Sequence, residues 1–366
     1  MTTITKIFDI THLDPQHSGC CVVVGVVAGE GKKGSRNELE AVLQPCTCVV
    51  LRDALTAGLS DTLFDTFNAP TLRRVFKELA VVPSDVVTTM SATTALTESG
   101  RVVTWGKAEF GGNSCTVAEE LAAGVVRVVA TDYAFAALTE SGRVVTWGEE
   151  EFGGDSTAVA EELASGVGEV VATCSAFAAV TKGGRVVTWG DEMEGGDSTE
   201  VAGLESGVVV VVATQSAFAA LKEDGLVVTW GILIDLNYPD RYCDRYSWAA
   251  GEVASNVVLL VASGGAFAAL TEDGQVETWG RARWGGDSSL VAEELSCGVV
   301  DVVATVRAFA ALKEDGQVVT WGHGLHGGNS SGVAEELATG VVSVVATNSA
   351  FEALKEDGQV VTWGMK

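Results

Sequence analysis

Hydrophobic residues along most of this chain come in short runs, broken at fixed places by glycine and small polar residues. Val126 to Thr131 (VRVVAT) is rich in β-branched residues, two residues intervene, and Ala134 to Thr139 (AFAALT) makes a second apolar run. Glu140-Ser141-Gly142 supplies a turn, because glycine at its end tolerates positive φ, and Arg143 to Trp147 resumes as a third run. Runs of this length predict three short strands joined by tight turns. After Gly148 a variable stretch leads to Gly153-Gly154-Asp155-Ser156, then Thr157 to Ala164 and Gly166. An Asp/Ser start, good helix formers and a glycine just past the end predict a short capped helix.

The pattern recurs. Thr-Trp-Gly falls at Trp105, Trp147, Trp189, Trp230, Trp279, Trp321 and Trp363, with gaps of 42, 42, 41, 49, 42 and 42 residues. A fixed period of this size marks a repeat architecture. Pro70 to Leu79 (PTLRRVFKEL) aligns with the later VAEEL segments one period on, so the first unit starts near Asn68, with Thr93 where the others have Phe. The units end at Gly106, Gly148, Gly190, Gly231, Gly280, Gly322 and Gly364. The expected organisation is a small α/β extension over residues 1–67 and seven repeats over 68–366. Within the extension, Ile4 to Ile10 and Cys20 to Ala28 read as strands, while Asn37 to Leu43 and Val49 to Leu55 fit helix or strand.

A three-stranded sheet cannot bury both faces alone, so neighbouring units must stack. Seven near-identical units with no polar capping unit favour closure, and the expected fold is mainly β, a seven-bladed β-propeller with a short helix and three strands per unit. The repeats resemble the regulator of chromosome condensation (RCC1-like) family. Ala137-Leu138-Thr139-Glu140-Ser141-Gly142-Arg143-Val144-Val145-Thr146-Trp147-Gly148, followed by Phe152-Gly153-Gly154-Asp155, matches that family's unit pattern over about four-fifths of the chain. The resemblance implies a seven-bladed propeller and, for some members, regulation of nucleotide exchange on a small GTPase. A similar propeller also occurs in a β-lactamase-inhibitory protein. The units here are shorter than is usual for the family, with GGDS and the expected helix in place of GQLGHG and an outer strand.

A composition that is 47% hydrophobic, with mean hydropathy +0.27, fits a chain that buries large cores. No run of about 18 apolar residues is present to cross a bilayer, and the start, MTTITKIFDI, does not read as a secretory signal. The formal charge of −26 argues against direct nucleic-acid or anionic-membrane binding. Eight scattered cysteines favour a reducing compartment, cytoplasmic or nuclear, with an organelle left open.

Repetition separates structural from functional residues. The Trp and Phe of every unit read as packing between blades. The GGDS or GGNS turns could suit calcium or phosphate, but Gly-Gly as a sharp turn with Asp155 or Ser156 as a helix cap accounts for them. The paired glutamates, such as Glu161-Glu162, read as a solvated face. His12, His17, Cys20, Cys21, Cys46 and Cys48 match no zinc spacing. No nucleotide loop, HExxH or Ser-His-Asp order appears. The expectation is therefore a non-enzymatic protein-interaction module or complex subunit, with no cofactor and no metal; a GTPase regulator and an enzyme inhibitor are the alternatives.

Two loops vary freely while the rest repeats: the dipeptide between the first and second strands, and the residues after Trp-Gly. In an up-down-up meander both emerge at one end, opposite the constant TESG or KEDG turn. That rim carries Phe110, Tyr133, Phe152, Arg281, Arg283, Trp284, Arg307, His323 and His326, residue types that interfaces favour. The longer segment Ile232 to Ala250 replaces one GGDS linker and adds Tyr238, Arg241, Tyr242, Arg245, Tyr246 and Trp248. Together these residues form the expected partner-binding surface.

Overall fold

A computed structural model describes residues 4–7, 25–28, 83–232 and 251–365. The chain divides into two compact units, Met1–Ala160 and Glu161–Lys366. Ile4–Ile7 and Gly25–Ala28 pair antiparallel; the rest of the extension, the Pro70 to Leu79 segment and residues 233–250 lie outside the described residues. Each Thr-Trp-Gly closes an antiparallel meander, giving seven sheets that match the seven blades of a β-propeller. The first unit holds two of them, Pro83–Thr88/Ala92–Thr97/Val102–Gly106 and Val125–Ala130/Ala134–Thr139/Val144–Gly148. The other five follow in the second unit.

Two expectations are corrected. The capped helix is a single 3₁₀ turn, Thr157–Val159, with equivalents at Cys115–Val117, Ser289–Val291 and Ser331–Val333. The capping chemistry is present, since Asp155 Oδ1 accepts from Thr157 N at 2.8 Å. The stretch is too short to repay the cost of helix nucleation, and its Leu163 must reach the core, where it is 2% exposed. The fourth propeller sheet has four strands, because Gly251–Ala254, directly after the insertion, pairs antiparallel with Val227–Gly231.

Each core is shared between consecutive repeats. Phe135 lies opposite Trp147 across the ladder, with ring centroids 5.3 Å apart, and the pair packs on Ala92, Leu96 and Val102 of the preceding sheet. The same arrangement joins Phe309 and Trp321 to Ala266, Ala268 and Leu270. Main-chain bonds staple the repeats at both ends: Val125 N donates to Gly100 O beside the constant turn, and Met90 N donates to Asp132 O at the variable end. The last sheet differs. Its second strand, Ala350–Lys355, alternates buried and exposed positions, and Glu352 stands where repeats 2 to 6 bury alanine and the first buries Thr94. A carboxylate there suits a solvated face, and Val345, Leu354 and Val360 of the same sheet are exposed with it.

Tryptophan indoles also reach back to the turn that opens their own repeat. Trp147, Trp230, Trp321 and Trp363 each donate Nε1–H to the carbonyl of the first glycine of the preceding Gly-Gly turn, at 3.0–3.1 Å. Trp279 follows the insertion rather than a Gly-Gly turn, and its buried Nε1 has no partner among the described residues. Trp321→Phe is therefore expected to lose roughly 1–3 kcal/mol more stability than Trp279→Phe, since only the former strands a buried carbonyl. Urea-unfolding midpoints of the two variants check this, and equal losses would refute it.

Candidate partner-binding surface

The variable loops of each repeat are held together by the ends of its own strands. Thr131 closes the first strand of repeat 2, and its hydroxyl donates to Phe152 O at 3.2 Å while Glu149 N donates to Tyr133 O at 3.1 Å. The same hydroxyl bond runs from Thr89 to Phe110 O, from Thr173 to Glu194 O, from Ser263 to Trp284 O and from Thr305 to His326 O. Both loops of a repeat thus emerge at one end.

The main chain explains why this end can vary. In the second unit Cys174 N donates to Gln215 O, Gln215 N to Gly264 O, Gly264 N to Val306 O and Val306 N to Asn348 O, at 2.7–3.0 Å. This ladder uses no side chain, so side chains there are free to diverge. The residue after Trp-Gly is fixed in the same way, by a backbone bond such as His323 N to Arg307 O.

Two side-chain clusters result. In the first unit Tyr133 lies between Phe110 and Phe152, with centroid distances of 5.3 and 4.4 Å, and Lys107 Nζ sits 4.5 Å from the centre of the Phe110 ring. In the second unit Trp284 carries two guanidinium groups, Arg281 at 4.5 Å and Arg307 at 4.7 Å from the ring centre. His326 lies beyond Arg307, with its Nδ1 3.1 Å from His323 Nδ1. Burial, then the charges of Arg307 and His323, hold the His326 pKa below the usual imidazole range. Sequence periods make these clusters equivalent: Lys107, Phe110, Tyr133 and Phe152 occupy the positions of Arg281, Trp284, Arg307 and His326. Arg283 is exposed on the same turn as Trp284. Tyr238, Arg241, Tyr242, Arg245, Tyr246 and Trp248 lie outside the described residues.

Gly264 and Gly265 complete the second cluster. A Cβ on Gly265 would fall 2.7 Å from both Arg281 Cδ and Trp284 Cε3, and one on Gly264 would fall 3.1 Å from Trp284 Cζ3. Their bareness lets the indole and Arg281 lie across the backbone. The sequence signal was visible as two glycines standing where repeat 2 has Asp132-Tyr133, although nothing there says which side chain fills the space.

The regular motifs have structural partners. Asp155, Asp197, Asp287, Asn113 and Asn329 each accept a bond from the backbone N–H two residues on, and bonds from Ser289 hold the Asp287 carboxyl below its usual range. The next serine bonds the threonine of Thr-Trp-Gly, as Ser156 does with Thr146 at 2.9 Å. Of the glutamate pairs, Glu120 meets Arg143 and Glu162 meets Arg185, both at 3.4 Å on the surface, where such pairs contribute little. Among the described residues no group of three or more His, Cys, Asp or Glu gathers as metal ligands, and no helix is long and apolar enough to cross a membrane.

No family model and no curated protein matches the chain. Solved structures similar to it include human WBSCR16, at 16% identity over 66% of this chain and 76% of that one, TM-score 0.41. Prp20p from Saccharomyces cerevisiae, described with its binding to Gsp1p and histones, matches at 16% identity over 66% and 72%, TM-score 0.41. Prp20 is yeast RCC1. The ectodomain of the Physcomitrella patens receptor kinase CR4 matches at 15% identity over 76% and 72%, TM-score 0.40. The neighbours thus include a protein of the family whose repeats these resemble. At such identities and scores the likeness assigns this chain neither family membership nor a partner.

Proposed function

We propose that this chain is a non-enzymatic protein-interaction module whose partner binds the variable end of its repeats. The carrying observation is the convergence of Arg281 and Arg307 on the partly buried Trp284 indole at an end of the fold that the backbone ladder leaves free to diverge. Trp, Tyr and Arg concentrate binding energy at interfaces because they bring large area and directed polar groups with few rotors. The equivalent stack at Tyr133 offers an aromatic surface of the same kind in the first unit. The constant turns at the opposite end carry no comparable diversity, and partner specificity needs diversity.

Affinity capture from the native lysate tests this with wild type, Trp284→Ala, Tyr133→Ala and a Leu290→Ala control. Leu290 is 97% exposed and outside both clusters. Wild type and the control are expected to retain one stoichiometric protein, and Trp284→Ala to lose at least tenfold of it, corresponding to a hot-spot loss of about 1.4 kcal/mol or more. Equal retention by all four proteins, with unchanged melting, would remove the variable end from the interface.

A further inference from the structure

The two clusters share one geometry and differ in charge. Repeats 2 and 3 follow Trp-Gly with Glu149-Glu150-Glu151 and Asp191-Glu192-Met193-Glu194, whereas repeats 5 and 6 follow it with Arg281-Ala282-Arg283-Trp284 and His323-Gly324-Leu325-His326. In a chain with 49 Asp and Glu against 23 Lys and Arg, these two stretches hold no carboxylate. Among the described residues of the second unit, basic charge at the variable end is therefore concentrated after the fifth and sixth Trp-Gly pairs.

We propose that the Arg281, Trp284, Arg307 and His326 cluster binds carboxylates of a short acidic segment on a protein partner. This rests on the reading of the variable end as a partner-binding surface and specifies the chemistry of that partner. A guanidinium stacked on an indole spends its face and keeps its in-plane N–H fork, which matches a carboxylate through two parallel bonds. Arg307 stacks on Trp284, and its Nε, covered in this arrangement, has no hydrogen-bond acceptor among the described residues. A carboxylate would satisfy that donor once the side chain turns it outward. The glycines at 264 and 265 hold the cradle open, since a Cβ at 265 would collide with Trp284 and Arg281, and one at 264 would collide with the Val306 carbonyl at 2.9 Å and crowd the indole. The titratable and charged groups set against His326 are Arg307 and His323. A carboxylate beside them offsets their field, so it binds protonated His326 better and raises that pKa. A short acidic segment brings few charges into the field of a −26 chain, whereas a nucleic acid brings one roughly every 1.7 Å.

The test follows the Hε1 NMR signals of His323 and His326 in the full chain as hexaglutamate, hexalysine or inorganic phosphate is added at low salt. Hexaglutamate is expected to shift both signals saturably and to move the His326 titration midpoint up by about one pH unit, as an opposite charge at close range does. Arg307→Gln is expected to weaken hexaglutamate about tenfold or more. Arg281→Gln provides a second variant should the first melt early. No saturable shift, an equal response to hexalysine, phosphate binding as tightly as the peptide, or unchanged affinity in a folded Arg→Gln variant would overturn the assignment. If Trp284→Ala still abolishes capture while hexaglutamate has no effect, the interaction surface stands and the acidic partner falls. Hexaglutamate binding with capture unaffected by Trp284→Ala would leave a carboxylate site that is not the captured partner's interface, and would overturn its assignment to that partner.

Discussion

Gly285→Ala is expected to lower stability by roughly 2–5 kcal/mol, the sum of a backbone term and a collision. Gly285 has φ 101°, outside the range an L-residue adopts cheaply, which contributes about 1–2 kcal/mol. The added Cβ would fall 2.4 Å from Phe309 Cδ2 and 2.7 Å from Cε2. That ring is fully buried and stacked on Trp321, with no free volume to retreat into, so overpacking adds about 1–3 kcal/mol. Gly298→Ala separates the two parts. Gly298 also has positive φ, 73°, but a Cβ there meets only Lys313 Cε at 3.7 Å. Its loss should stay near the backbone term alone. Urea midpoints for the two variants decide the matter, and equal losses would show that the collision is relieved by local movement.

Much of this arrangement is legible in the sequence because it is written seven times. The β-branched runs, the Glu-Ser-Gly turn and the Thr-Trp-Gly strand each obey a local rule, so strand positions and the end at which the loops emerge follow from spacing. The helix did not follow. Asp155, good helix formers and Gly166 satisfy every local rule for one, yet the stretch must deliver Leu163 into the core within a few residues, and a 3₁₀ turn does so. Tertiary geometry outweighed propensity. Nor could the hydroxyl bonds be read in advance: threonine looks like an ordinary strand residue at 131 and 146, although Thr131 ties down Phe152 O and Thr146 holds Ser156. At the variable end, the sequence marks Trp284 and Arg307 as interface types, but not that they touch. They are 23 positions apart, one on the loop that follows the fifth sheet and the other between the first two strands of the sixth, and only stacking of the sheets makes them neighbours.

Phe309→Ala is expected to cost about 3–5 kcal/mol alone, and the pair Phe309→Ala with Gly285→Ala much less than the sum of the two single losses. The phenyl ring is fully buried, so truncation loses its transfer energy and leaves a cavity against Trp321 and the preceding sheet. Because the methyl added by Gly285→Ala would point into the space the ring vacates, the double variant removes the collision while keeping the strained φ. The coupling between the two sites should therefore be favourable by about 1–3 kcal/mol, the size of the overpacking term. Strict additivity would mean that Gly285 is required for its backbone alone. A favourable coupling would identify the Gly-Gly turn and the following phenylalanine as one packing unit within each repeat, so that the period of the array is set by side-chain complementarity as well as by its strands.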